Sequence, residues 1–479
     1  MERKMEHRAN AKQMIPIMMT AFIAPFMGSA LNLSVPSMSE YFSAGAVSIG
    51  WVVTSYFLSS TALLIPLGRL ADLRGKKPMF VTGILIFGVF SLLCACAWNV
   101  KALILLRLGQ GIGASMLFAT NSAIIASNFP LSMRGQMMGL SVMCTYLGLS
   151  AGPVLGGFFN EYLGWRSIFV FAFLYCVPSF ITSALMLDDD RAGNTGLPSS
   201  SVSGQRGGAG TGGRKSAEKK TVDLQGCLLF ILASTSFLFG LTNFTTMSLA
   251  RIVFLFSLLL ILLFVWTEKK SEDPLLDLGM FTENRTFTLS NAAALLNYGA
   301  SSSISYLISV YLQNVRGMSS DRAGIVLIAT PILQALLSPL AGKLSDRYSP
   351  YKLASSGMFI TCAGIVMLIF LEEGSPLIYL ICSLAVVGTG FALFSSPNSN
   401  AIMSSVEKQR YGVASSIMSA SRTIGQTASM AVVTMIIGAV IGNVTLASAP
   451  AGSVVNAIHL AFIVNAVLCG IGIFCSAKR

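Results

Sequence analysis

The sequence predicts an all-α membrane protein with fourteen transmembrane helices, arranged as two six-helix bundles with two further helices inserted between them. Three observations predict it. Hydrophobic residues make up 54% of the 479 and charged residues 11%, against about 25% charged in soluble globular domains. Apolar runs of about 20 residues, enough to cross a hydrocarbon core of about 30 Å, recur along the chain. Lysine and arginine are sorted between alternate loops. In a hydrocarbon core each backbone polar group must be satisfied within its own segment, which selects helices, and the ten-residue alternation of a barrel is not seen.

The elements follow in order. A basic tail, 1–13, precedes the first span, 14–36, which lacks a small-residue cleavage site and is therefore expected to stay as helix one. Spans 48–68 and 79–98 flank a short charged hairpin, 68–78, and spans 103–127, 136–159 and 166–187 complete a first bundle, 14–187. The Ser-, Gly- and Lys-rich segment 188–223 has almost no apolar content, so it cannot bury enough surface to fold and reads as a flexible cytoplasmic linker. Spans 224–246 and 251–267 form the inserted pair, 224–267; loss of the short second one would move the C-terminus across the membrane. A second bundle, 286–475, holds spans 286–312, 323–342, 353–371, 376–400, 411–437 and 455–475.

The net charge of +12 is topological and not a nucleic-acid signal. Of the 32 Lys and Arg, 25 fall in the tails and loops of one side and 5 on the other (Lys101, Arg166, Arg251, Arg316 and Arg322), leaving Arg107 and Arg422 within helices. The positive-inside rule then puts both termini in the cytoplasm. The nine cysteines sit in or beside apolar spans without metal-like clustering, and are expected to be reduced packing residues. His459, a turn inside the external end of the last span, reads as a peripheral packing residue.

Two echoes relate the halves. Gly111 and Asn121 recur as Gly388 and Asn398, each 277 residues on, and Asp72 of the hairpin Gly68-Arg69-Leu70-Ala71-Asp72-Leu73-Arg74 recurs as Asp346, 274 residues on, in a degenerate copy. A near-constant offset argues for parallel six-helix repeats. Within the hairpin, glycine lets two helices approach closely and aspartate can sit on a helix N-terminus, although loop charges also serve as plain solvated turns. Gly148, Gly152 and Gly156 make a smooth stripe against which a helix can press, and Pro153 removes a backbone donor and should bend its helix.

These residues identify a resemblance. The chain resembles the fourteen-helix drug:proton antiporter branch of the major facilitator superfamily from about residue 14 to 475. The hairpin 68–78 matches the signature loop between helices two and three. Arg107-Leu108-Gly109-Gln110-Gly111 matches the helix-four motif, Gly148 to Gly157 the antiporter motif of helix five, and Gly164-Trp165-Arg166 looks like the helix-six entry. The resemblance implies a cytoplasmic latch made by Gly68, Arg69, Asp72 and Arg74, with Asp72 contacting Arg134 and the start of span thirteen near Tyr411. It also implies a hinge or seal at Gly152, Pro153 and Gly156, and a coupling role for Arg107 in a central cavity. The second hairpin lacks the Arg-Gly-Lys-Lys tail, so the latch is expected to depend mainly on Asp72.

One departure matters. Many members of this branch carry an acidic residue in helix one where this chain has Met27, and no Asp or Glu lies well inside any of the fourteen spans. Export of cations by proton exchange normally uses such a carboxylate, so a neutral or anionic amphiphile fits this chain better. The expected cavity lining comprises Asn32, Gln110, Asn121, Tyr146, Asn291, Asn297, Tyr298, Asn398, Arg422 and Gln426, with Met27, Phe118 and Phe394 as apolar wall. The expected function is export of a small amphipathic substrate by alternating access across a bacterial plasma membrane. The proton gradient would be the energy source, no cofactor or metal is implied, and the protein would work as a monomer in the lipid bilayer. Two rivals stand beside it: an exporter or flippase for one endogenous metabolite or lipid, and a non-transporting sensor or scaffold. No nucleophile-base set or nucleotide loop suggests an enzyme.

Overall fold

A computed structural model describes residues 2–44, 46–188, 223–244, 247–271, 273–441 and 450–479; the side chains of 2–11, 32, 33, 36, 46–48, 320 and 321 are not among those described. The linker expected over 188–223 therefore lies almost wholly outside the described residues. Nineteen α-helices follow in order among them, with no strand. In the first half these are α1 (Glu2–Ala30), α2 (Val35–Phe42), α3 (Ala46–Ala62), α4 (Leu64–Arg74), α5 (Lys76–Ala95), α6 (Val100–Asn128), α7 (Leu131–Leu163) and α8 (Arg166–Met186). The middle pair is α9 (Leu224–Thr242) and α10 (Ser248–Glu268), followed by the short α11 (Gly279–Thr282). The second half holds α12 (Arg285–Ser301), α13 (Ile304–Val310), α14 (Ser320–Leu327), α15 (Ala329–Arg347), α16 (Pro350–Ile369), α17 (Leu377–Ser404), α18 (Tyr411–Ile441) and α19 (Ala451–Ala477).

Twelve helical stretches are long and apolar enough to cross a membrane, and α3 with α4, bent by 45°, makes a thirteenth. The second predicted span is thus a broken one. The remaining predicted span, 286–312, falls on α12 and α13, which are interrupted at Ser302 and Ser303 and followed by a π-helical turn, Tyr311–Val315. The break has a visible cause. The Ser303 N–H donates to Ser429 Oγ (3.2 Å), while the Ser303 hydroxyl accepts from Ser429 Oγ (2.9 Å) and from Asn465 Nδ2 (3.1 Å). Side chains of α18 and α19 therefore take the place of the i→i−4 ladder at this point. The first span likewise ends earlier than its apolar run, in a 3₁₀ turn at Leu31–Ser34 before α2.

Two apolar cores organise the bundle. One gathers α1, α3, α5, α6 and α8 around Phe26, Tyr56, Phe87 and Phe169; the other gathers α12, α13, α16, α17 and α19 around Phe394, Tyr311 and Phe462. The first core also takes in Ile402, Met403, Tyr411, Val413, Ala414 and Ile417, which lie at one end of α17 and α18. The halves therefore merge at the end that carries the basic hairpins.

The glycine stripe of α7 explains how α1 seats. A Cβ on Gly152 would meet Ser29 Cβ at 2.9 Å, one on Gly156 would meet Ala30 Cα at 2.9 Å, and one on Gly148 would meet the Phe22 carbonyl carbon at 3.1 Å. Pro153 cannot donate to the Leu149 carbonyl, and Ser29 Oγ does so instead at 3.2 Å. α7 runs continuously through Pro153 because a neighbouring hydroxyl satisfies the freed acceptor.

Candidate functional site

The hairpin residues join the two halves at one end of the molecule. Asp72, near the end of α4, accepts from the Gly412 N–H with Oδ1 (2.7 Å) and from the Val413 N–H with Oδ2 (2.9 Å). Those amides belong to the first turn of α18, which has no carbonyl partner for them and presents the positive end of its dipole. Asp346, near the end of α15, makes a matching pair of bonds to the fifth and sixth residues of α7, accepting from Gly135 N–H (2.6 Å) and Gln136 N–H (2.9 Å). Asp346 thus makes the same number of backbone contacts as Asp72, on which the latch is expected mainly to depend. The degenerate copy keeps the one residue the contact needs, and the missing basic tail makes none of the four bonds.

Glycine enables both caps. A Cβ on Gly68 would meet the Gly412 carbonyl oxygen at 2.7 Å, and one on Gly342 would meet the Gly135 carbonyl carbon at 2.8 Å. Each helix pair thus crosses backbone against backbone. Arg134 is 8% exposed and donates to the Tyr411 hydroxyl at 3.2 Å, tying the first turns of α7 and α18 together. Its expected contact with Asp72 is replaced by this one, and the carboxylate whose charge it feels is Asp346. Arg69 is half-buried beside Asp72, and Arg74 is exposed.

Above these caps, two cavities of about 80 and 70 Å³ lie between the halves. Phe118, Asn121, Tyr146, Tyr298, Phe394, Asn398 and Arg422 line the first. The second adds Tyr56, Leu149 and Gln426, and shares Phe118, Tyr146, Tyr298 and Arg422 with the first. Both are smaller than the 300–1,000 Å³ typical of small-molecule pockets, so a ligand of that size enters only when helices part. Ser415 and Ser419 donate to the Phe118 carbonyl (3.2 and 3.4 Å), and Tyr146 meets Phe391 edge-on at 5.8 Å, so both walls join opposite halves.

Polar groups at the site are held in place. Asn121 Oδ1 accepts from Ser141 Oγ (2.8 Å), and Asn398 Nδ2 donates to the Ser290 carbonyl (3.2 Å). Asn398 Oδ1 accepts from Arg479 Nη1 at 2.7 Å. Burial pulls the Arg479 guanidinium down to about 10, still far above neutrality, so it stays charged. The hydroxyls of Tyr298 and Ser395 lie 3.3 Å apart. Thr20, Ser141 and Ser395 also line the cavity and escape sequence reasoning, since serine and threonine are common in membrane helices for bonding their own backbone.

Four expected lining residues lie elsewhere, and Asn32 lies outside the described side chains. Met27 is fully buried in the first core. Gln110 is eleven residues from Asn121 along α6, about 16 Å by helical rise, and donates to Ser91 Oγ at 2.7 Å. Asn291 donates to the Phe287 carbonyl (2.9 Å), and Asn297 is fully buried within the second half. Arg107, expected in the cavity, is instead sealed inside the first half at 0% exposure. It donates to the Val52 carbonyl (3.0 Å) and to Gln110 Oε1, and stacks on Tyr56 with Cζ 4.3 Å from the ring centre. Such a site holds α6 to α3. His459 bonds the Leu371 carbonyl at 2.7 Å, pinning α19 to the end of α16.

Comparison with known proteins agrees with this architecture. The sequence model described as Major Facilitator Superfamily matches residues 17–280 and 291–478. The riboflavin transporter RibZ of Clostridioides difficile (strain 630) is 30% identical over 411 residues, covering 86% of this chain and 84% of that protein. The multidrug resistance protein Stp of Mycobacterium tuberculosis (strain ATCC 25618 / H37Rv) is 28% identical, with 85% and 72% covered. Among solved structures, the proton:xylose symporter XylE superposes with a TM-score of 0.63 at 13% identity, covering 96% of this chain and 95% of that one. The chain is a multi-pass membrane transporter that belongs to the Major Facilitator Superfamily.

Proposed function

We propose that the protein exports an amphipathic small molecule from the cytoplasm across a bacterial plasma membrane by alternating access. The observation that carries this reading is the pair of aspartate caps, which seals the basic-hairpin end while leaving cavities between the halves directly above. By the positive-inside rule that end is cytoplasmic, and the conformation is then closed toward the cytoplasm. Opening it requires both caps to release together. Stp and the Bacillus subtilis transporter MdtP, 25% identical over 434 residues, are named as multidrug proteins and support the substrate class.

One observation favours a narrower reading beside it. The cavities are small, and Asn121 and Asn398 are fixed by hydrogen bonds, as suits one preferred substrate better than a repacking surface. The similarity to a riboflavin transporter points the same way. The test is transport by the purified full chain in liposomes, using Hoechst 33342, ethidium, 8-anilinonaphthalene-1-sulfonate and riboflavin, with and without a pH gradient. Saturable movement of several dyes supports broad export, and movement of riboflavin alone supports the specific exporter. Movement of none of the four refutes broad export and riboflavin as the specific substrate. Dependence on the pH gradient would establish the proton antiport that the resemblance implies.

A further inference from the structure

We propose that Arg422 is the anchoring group of an anion site, so that the transported compound is a flat aromatic carrying one acidic group and the membrane potential drives it outward. The proposal rests on the export reading above and names its substrate class. Arg422 lies eleven residues into α18, about 16 Å by helical rise and so near the middle of a hydrocarbon core. It stands between the two cavities and, among the described residues, is the one charged residue lining either of them.

Its surroundings differ from those of Arg107, the other arginine deep within a span, and of several arginines beside the spans. Arg107, Arg134, Arg166, Arg316 and Arg479 each donate to a carbonyl or a side-chain oxygen. Arg422 has no hydrogen bond or ion pair among the described residues; its guanidinium lies over the Phe118 ring, 5.3 Å from the centre. Among the described residues no Asp or Glu lines either cavity, so these walls supply no counter-charge. A bare cation at this depth is costly, and an acidic ligand supplies what the walls lack. The rings of Phe118, Tyr146 and Tyr298 border both cavities beside Arg422, which suits a planar aromatic body attached to the acid.

The same charge accounts for energy without a titrating carboxylate. With an anion bound, the site is neutral, and its movement is indifferent to the membrane potential. The empty site carries one positive charge, which an inside-negative potential draws back toward the cytoplasm. Each cycle therefore moves one negative charge outward. Per 100 mV this sustains a concentration ratio of about 50-fold, the equivalent of about 2.3 kcal/mol per elementary charge. No proton need be exchanged.

A matched set of probes tests this: 2-naphthoate, its neutral amide, and 2-naphthylmethylammonium. Binding is read from the thermal unfolding of the purified full chain. Transport is read in liposomes clamped by potassium and valinomycin, with equal pH on both sides. The expected result is binding of the naphthoate at least tenfold tighter than the amide, and movement toward the positive side that grows with the imposed potential. Arg422→Gln should erase the preference for the acid, while Arg422→Lys keeps part of it and unfolds at the same temperature as the unmodified chain. Equal handling of the amide or the ammonium compound would overturn the anion site and leave export standing. So would naphthoate transport that follows a pH gradient and ignores the potential. If no probe binds or moves, and none of the four dyes above does, both readings fail.

Discussion

Replacing Asp72 or Asp346 by Asn tests the paired caps most directly. Each carboxylate accepts two backbone N–H bonds, at 2.7 and 2.9 Å for Asp72 and at 2.6 and 2.9 Å for Asp346. An asparagine keeps one acceptor and turns an NH₂ toward the second amide, so one charge-assisted bond is lost, about 1.5–3 kcal/mol. The charge at the helix N-terminus contributes up to about 1 kcal/mol more. Each change should therefore favour the open state by about 2–4 kcal/mol, roughly 30- to 900-fold in the opening equilibrium. The two caps lie on different helix pairs, and the double variant should show close to the sum. Spin labels on a cysteine-free chain read this out, at Arg74→Cys with Lys408→Cys for the first cap and Lys343→Cys with Leu131→Cys for the second; all four positions are exposed. Both distance distributions should lengthen while thermal stability changes little, because neither aspartate belongs to an apolar core. Unchanged distances in both single variants would refute the caps as latches. A response to Asp72→Asn with none to Asp346→Asn would refute their equivalence.

Other substitutions report on packing. Gly152→Val places carbon within the space of Ser29 and should cost folded protein, by about 1–3 kcal/mol or more, seen as reduced yield and a lower unfolding temperature. Arg107→Gln should destabilise by roughly 3 kcal/mol through the lost Val52 and Tyr56 contacts; normal stability with altered energy coupling would restore the coupling role. Ser303→Ala removes the hydroxyl that ties α18 and α19 to the break in α12–α13, and about 1–2 kcal/mol of stability should go with it, measured by thermal unfolding.

Legibility varied with the kind of signal. The Gly148, Gly152 and Gly156 stripe was readable because a four-residue period puts all three on one helix face, whatever helix arrives there. Asp346 is visible as a copy of Asp72, and its pair of bonds is not legible because each carboxylate needs only two backbone amides, which a distant helix supplies. The cavity was half legible. Asn121, Asn398, Tyr146, Tyr298 and Arg422 meet there, whereas Gln110 and Arg107 sit too far along α6 and bond within their own half. A single helix shows which residues are polar, but not which neighbour has already satisfied them.

The sequence by itself determined the membrane class, the helical character of the chain and the family. Each follows from length, hydropathy and local spacing, which act on one segment at a time. Tertiary structure alone decided that Asp346 binds the amides of α7 as Asp72 binds those of α18, that Ser429 and Asn465 break the helix at Ser303, and that Arg107 is spent on packing. These outcomes depend on which atoms meet across segments hundreds of residues apart. A buried charge acquires its role from the partners that folding brings to it, or from their absence.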